Sequence, residues 1–409
     1  MQKISETPTA NLNIGVWASP LLDELRHFRR DLHQHPELSH KEFLTTEKLA
    51  ARLTAAGLEP QRLDGTGLFV DVGEGPLAIG LRADIDALPI LEETGLEYAS
   101  VNTGISHACG HDIHTTVMLG VALVLRKLDV EGELPARVRV IFQPAEETMP
   151  GGALAVIEQG VLNGLPRILA LHCDPRIDVG LVGTRIGAIT SASDTIRIQL
   201  NGRGGHTSRP HLTEDLVFAL AEIAVSVPAV INRRIDVRSA VSLVWGQIQA
   251  GAAPNAIPAV GYMAGTMRCL DGEAWQAAGE LVDEVVNQVA APFGVDVKLE
   301  HIRGVPPVIN TERETTLIEA AARSELGEDA VTLTPQSMGG EDFAWMTQEV
   351  SGAMMRLGTR TPGGETFDLH RGDYIPDEHA IGVGVRVMAK AATLAARRHR
   401  DVAAGATQK

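Results

Sequence analysis

Apolar positions recur along the chain in two rhythms. Segments such as "KEFLTTEKLAARLTAAG" repeat them at three- and four-residue spacing, the period of an amphipathic helix, whereas "PLAIGLRAD", "ARVRVIF" and "RILALHC" are short, nearly continuous apolar runs of buried strands. Alternation of the two predicts an α/β layer structure around a largely parallel sheet. Residues 1 to about 20 show no period and are expected to be a mobile tail.

Around Gly187 the rhythm changes. The strand "DTIRIQLNG", a helix over 213–233, the strands "SAVSLVWGQI" and "AVGYMAGTMR", a helix over 272–291 and the strand "GVDVKLEHI" follow in the order β-α-β-β-α-β, a ferredoxin-like unit. After "GVPPVIN" the first pattern resumes: a helix over 312–326, another after "GGEDF", the strand "GAMMRLG" and a last helix over about 377–398. The expected organisation is thus a larger α/β domain in two parts, 1–187 and 304–409, interrupted by an inserted domain at 188–303.

Composition narrows the function classes. With 409 residues, 44% hydrophobic and 22% charged, the chain has material for a large core. Its formal charge of -16 is spread along the chain, which argues against nucleic acid as a partner. No run of about 20 consecutive apolar residues suggests a membrane span. The first residues lack the apolar stretch of a secretory signal, so the expected location is the cytoplasm. The three cysteines, Cys109, Cys173 and Cys269, are far apart and odd in number, a poor basis for a disulfide framework. Neither G-x-G-x-x-G after the first strands nor a Walker loop is present, which turns the reading away from nucleotides.

Polar residues cluster where strands of an open α/β sheet end, the place where ligands bind in such folds. In "SHACGHDIHTT", Cys109 and His111 pair a thiol with an imidazole, a donor set suited to zinc or a similar divalent metal. By itself C-x-H is weak, since such pairs are usually incidental. In "QPAEE", Glu146 and Glu147 follow an apolar strand; one carboxylate holding a metal and the other remaining free would provide a ligand and a general base. His172 ends "LALH" and His370 lies in "FDLHRGDYIP". A lone histidine in either place is ordinarily a hydrogen-bonded core or loop residue, but four separate segments with such donors are hard to assign to chance.

Together with "RRDLHQHPELS", "LRADIDALPI", "GRGGHTSRPH", "PNAIP", "GTMR" and "GGEDFA", these stretches resemble the M20 metallopeptidases, in the branch of N-acyl-amino-acid amidohydrolases that includes aminoacylase, hippurate hydrolase and auxin-conjugate hydrolases. The resemblance implies two divalent metal ions per subunit, zinc foremost with manganese or cobalt as alternatives, bridged by the Cys109 thiolate. His111 and His172 would complete one site, Glu147 and His370 the other. Glu146 would be the general base for a water activated by the metal, and Asp84 would orient a ligand imidazole from behind. His206 of the inserted domain would stabilise the oxyanion from the partner subunit of a homodimer formed through that domain, and Asn255 and Arg268 would contact substrate. Arg268 suits a substrate carboxylate, because a guanidinium offers a bidentate fork.

The reaction so implied is hydrolysis of an N-acyl amino acid to a carboxylic acid and a free amino acid. A dipeptidase or carboxypeptidase with the same site is the nearest alternative. A non-catalytic metal-binding or redox-sensing protein built on Cys109 is a distant one. Cys173, Cys269 and His114 receive no role, and Asp86 and Asp112 are less clear than Asp84.

Overall fold

The computed structural model describes residues 12–406, with side chains through Asp401. Eight strands form the main sheet in the order Gln61–Arg62, Leu68–Val72, Arg137–Gln143, Leu77–Asp84, Ile168–Asp178, Gly352–Arg360, Val182–Thr184, Val331–Leu333. The four central strands run parallel. Antiparallel pairs flank them on both sides, and a short parallel pair closes one edge.

Successive side chains of a strand point to opposite faces, and here each face meets its own core. In the strand Ile168–Asp178, Leu169, Leu171 and Cys173 join a core built with the helices His111–Val130 and His379–Ala406, while Ile168 and Ala170 join another with Ala153–Glu158 and Phe343–Glu349. Burial on both faces explains why these strands read as continuous apolar runs.

Residues 192–305 form a second, four-stranded antiparallel sheet in the order Ser242–Ala250, Val260–Cys269, Ala192–Asn201, Asp296–Val305. That is the ferredoxin-like arrangement expected from the β-α-β-β-α-β order. Ile196, Ile198 and Leu200 point inward to a core shared with the helices Leu216–Arg234 and Gly272–Ala290. Among the described helices, Leu216–Arg234 is long and apolar enough to cross a membrane. Its Leu216, Ala219, Leu220, Ile223, Val227 and Ile231 are buried in that core.

The expected tail is corrected in part. Residues 1–11 lie outside the described residues, but Ile14–Ala18 is helical, with Asn13 accepting from the Gly15 N–H at the N-cap. Ile14 and Ala18 are buried, and the Ile14 N–H donates to Glu325 at 3.1 Å. A single helical turn is too short for periodicity to reveal it, and distant partners hold it in place. The last helix also runs further than expected, to Ala406.

Candidate active site

The site collects at the carboxyl ends of the central strands. Asp84 is the last residue of its strand, Glu146 and Glu147 follow the strand Arg137–Gln143, and His172 lies opposite Arg356 on the neighbouring parallel strand. Cys109 and Gly110 immediately precede the helix that begins at His111. Gly110 has φ 86°, and a Cβ there would stand 2.9 Å from the Cys173 sulfur, so the turn that presents Cys109 and His111 requires glycine. Ala145 and His370 also have positive φ, at 58° and 61°. Both are non-glycine residues beside proposed ligands, and the surroundings hold them there: the Ala145 N–H donates to buried Glu42 at 2.8 Å and the His370 N–H to the Ala108 carbonyl at 2.9 Å.

Two groups of donors form around one sulfur. Cys109, His111 and His172 present ligand atoms within 4.8 Å of one another, and so do Cys109, Glu147 and His370. The Cys109 Sγ lies 3.5 Å from His172 Nε2, and Glu147 Oε1 stands 3.7 Å from His111 Nε2 and 3.4 Å from His370 Nε2. Each inner histidine is aimed by its other nitrogen. His111 Nδ1 bonds the Asp86 carbonyl at 2.9 Å and His172 Nδ1 the Cys173 carbonyl at 2.8 Å, which turns the two Nε2 atoms toward the sulfur and the carboxylates. His111 Nε2 and Glu147 Oε1 are buried without a hydrogen-bond partner, as ligand atoms for a cation would be.

The electrostatics differ across the site: burial, then Arg356, lower His172 well below the usual imidazole range, whereas the surroundings of His111 favour positive charge. Burial alone would lower the His111 imidazole, but Asp84, Asp86 and Glu147 outweigh it and raise it to about 10. Burial, then Glu147, Glu146 and Asp84, push the Cys109 thiol well above its ordinary range. This is the opposite of the exposed, electropositive setting of a redox-sensing thiolate. A thiolate beside these carboxylates calls for cations, and the sulfur, nitrogen and oxygen donors fit a pair of divalent ions.

Glu146 joins neither group around the sulfur, although it lies within 4.8 Å of donor atoms of His111 and Glu147. Its side chain is 10% exposed, Oε2 lies 3.9 Å from His111 Nε2, and burial followed by Glu341 raises its carboxyl well above the usual range. Beneath it, Arg82 bonds Asp84 and Asp342, each at 2.7 Å, and stands 3.1 Å from Glu341. This buried network was not anticipated from sequence, although arginine inside the apolar run "LAIGLRAD" was a signal for it.

Asp84 was expected to orient a ligand imidazole; it lies 3.8 Å from His111 Nε2 without a hydrogen bond to that ring. Its Oδ1 accepts from His114 Nδ1 at 2.6 Å, and His114 Nε2 accepts the Cys173 N–H at 2.8 Å, so both nitrogens of that imidazole are committed within the protein. The acid against a proposed ligand is Asp86: Oδ1 is 3.2 Å from His111 Nδ1, and Oδ2 accepts from the Glu147 N–H at 3.0 Å and the Ser39 hydroxyl at 2.7 Å.

A cavity of about 550 Å³, well within the range of ligand pockets, opens over Cys109, Glu146, Glu147, His172 and His370, with Arg268 on its wall. The Arg268 guanidinium donates to the Met338 carbonyl. His206 and Asn255 are not on this wall. They lie together on the exposed ribbon where Gly205–His206 pairs with Ala256–Ile257, with the Thr207 N–H bonded to the Asn255 carbonyl at 3.2 Å.

Known proteins share this chain's sequence and architecture. Over 371 residues it is 46% identical to a longer protein of Rhodococcus jostii (strain RHA1) whose name is that of a glutamate–cysteine ligase; the match takes 90% of this chain but 46% of that protein. It is 37% identical over 369 residues to the N-acetyl-L-cysteine deacetylase of Bacillus subtilis (strain 168), covering 89% of this chain and 86% of the relative. The crystal structure of the Bacillus subtilis YXEP protein, a dinuclear metal binding peptidase from the M20 family, superposes with a TM-score of 0.80 at 33% identity, over 92% of this chain and 98% of that one. Residues 80–394, from the strand that ends at Asp84 to the last helix, match the model of peptidase family M20/M25/M40, and the chain belongs to that family.

Proposed function

We propose that this chain is a metal-dependent amidohydrolase that cleaves N-acyl amino acids to a carboxylic acid and a free amino acid. The carrying observation is the pairing of adjacent carboxylates: Glu147 sits between His111 and His370, while Glu146 faces the same cavity without belonging to either group around Cys109. Cys109, His111 and His172 would hold one cation, and Cys109, Glu147 and His370 the other. Zinc suits the sulfur and nitrogen donors, with manganese or cobalt as alternatives. When bound, the ions supply Lewis acidity that polarises the amide carbonyl and makes water easier to deprotonate.

The chain's own residues do the rest. Glu146 takes the proton of the attacking water and returns it to the leaving amine. Asp86 orients His111 and fixes the Glu147 backbone, and Arg268 is placed to meet the substrate carboxylate. Support for a homodimer comes from the smaller unit, here assigned to residues 188–303 as a dimerisation and lid domain, with 1–187 and 304–409 as the catalytic domain. Its edge strand Ser242–Ala250 exposes Val244 and Ile248, and its helix exposes Phe218 and Val225. In the dimer, His206 and Asn255 reach the other subunit's cavity, with His206 placed to stabilise the oxyanion. The three cysteines are free and buried, which suits the reducing cytoplasm.

The test is Glu146→Gln in protein of measured metal content, assayed by amino-acid release from N-acetyl, N-benzoyl and dipeptide substrates. Loss of about 100-fold or more in kcat at unchanged metal content is expected, and preserved turnover refutes the base assignment. Preference for dipeptides over every N-acyl amino acid would make the protein a peptidase instead.

A further inference from the structure

Three buried arginines lie in the strands and helices around the site, and two are matched by acids. Arg82 is held by Asp84, Glu341 and Asp342, and Arg29 by Asp112 at 2.7 Å. The third, Arg356, is the one charged residue within the buried run of the strand Gly352–Arg360. It is 6% exposed, its Nε is buried without a partner, and its side chain makes no hydrogen bond or ion pair among the described residues. The acids nearest to it are committed elsewhere. Asp174 is gripped by Arg176 through bonds of 2.9 and 2.7 Å, and Glu341 faces Arg82 and accepts the Phe343 N–H at 3.0 Å.

An unpaired buried charge is strongly unfavourable, and it becomes more so beside a site that gathers cations. Arg356 stands opposite His172 in the sheet and forms part of the wall of the same cavity as Arg268. One α-carboxylate, common to all N-acyl amino acids, accounts for one guanidinium and leaves the other without a counter-ion. We infer that Arg356 receives a second carboxylate of the substrate, so that the preferred substrates are N-acyl amino acids with two carboxylates, the additional one on the acyl group or on the amino-acid side chain. This inference rests on the amidohydrolase reading for the reaction but not for the existence of the anion site.

The experiment compares kcat/KM of the metal-loaded protein on N-acetyl-L-alanine, N-acetyl-L-glutamate and N-succinyl-L-alanine. A charge-assisted bidentate contact predicts a preference of about 10 to 100-fold for one of the dicarboxylates, and which one shows where the second carboxylate sits. Arg356→Met should bring that ratio close to one, and Arg356→Lys should restore part of it, because lysine keeps the charge without the fork. A thermal midpoint for Arg356→Met at or above wild type is expected, since an unpaired buried charge is removed, and it shows that the variant folds.

Calorimetry with glutarate and butyrate provides a readout independent of turnover. Wild type should bind glutarate more tightly than butyrate, and Arg356→Met should not. Equal kcat/KM on all three substrates, or a ratio unchanged in Arg356→Met, overturns the inference while leaving the hydrolase reading intact. Glutarate selectivity that depends on Arg356, with no N-acyl amino acid cleaved, leaves the anion site standing and removes the hydrolase reading.

Discussion

Asp86 and Asp84 lie two residues apart in "RADID", and replacing each by asparagine separates two ways of building the metal centre. The Asp86 carboxylate receives three donors: His111 Nδ1 at 3.2 Å, the Glu147 N–H at 3.0 Å and the Ser39 hydroxyl at 2.7 Å. Asparagine has one side-chain oxygen. Its best placement keeps that oxygen on Glu147 and Ser39 and turns the amide nitrogen toward His111, which then retains only the Asp86 backbone carbonyl at 2.9 Å. One hydrogen bond to a charged group is lost, about 1.5 to 3 kcal/mol. Expressed as metal affinity this is of the order of the 10 to 100-fold typical for groups that orient a ligand.

Asp84→Asn should behave differently. Its partners are His114 and Arg82, and an amide nitrogen facing the Arg82 guanidinium sets donor against donor in a fully buried place. The expected outcome is a stability loss of about 3 to 5 kcal/mol, the range for breaking a buried ion pair, with a smaller loss of metal affinity than in Asp86→Asn, because Asp84 lies 3.8 Å from His111 Nε2 but does not bond that ring. Chelator-competition titration gives the affinities and urea unfolding the stabilities. If Asp84→Asn weakens metal binding by more than Asp86→Asn does, Asp86 is not the orienting acid and the argument from hydrogen-bond geometry fails.

Cys109→Ser should lose at least one ion on gel filtration, because an alcohol is a far poorer bridge than a thiolate; two ions per chain by elemental analysis would refute the shared sulfur. Gly110→Ala combines a φ of 86° with a methyl 2.9 Å from the Cys173 sulfur. It should cost about 1 to 3 kcal/mol in urea unfolding and reduce metal content, whereas a neutral result would mean the turn relaxes freely. In the smaller unit, burial alone would raise the Asp194 carboxyl, but bonds from His301, the Gly304 N–H and Trp275 hold it below the usual range. A depressed folded value means stability that is present above the ordinary carboxylate pKa of about 3.9 and is lost as pH falls toward the folded value. The loss of urea stability between pH 5 and 3 should therefore be smaller in Asp194→Asn than in wild type, and equal slopes would show that this carboxyl does not contribute.

Periodicity along the chain was sufficient for the alternation of strands and helices, for the ferredoxin-like order after Gly187, and for placing Cys109, His111, Glu146 and Glu147 at a strand end or helix start; His172, expected to end its strand, lies within Ile168–Asp178. These features are local: a two- or four-residue period and a polar residue ending an apolar run can be read without knowing what lies opposite. What the tertiary structure decided concerns partners distant in sequence. Which acid of "RADID" bonds a proposed ligand depends on where the strand ends and how the chain turns beyond it, and that turn carried Asp86 to His111 Nδ1 and left Asp84 bonded to His114 and Arg82. Arg82 and Arg356 look alike in sequence, each a cation inside an apolar run. They differ because acids from 341–342 converge on one and the acids near the other are already engaged. Charge pairing inside a protein is settled by packing across hundreds of residues, so the sequence alone determined the kinds of groups at the site, and the fold determined which of them remain free to act on a substrate.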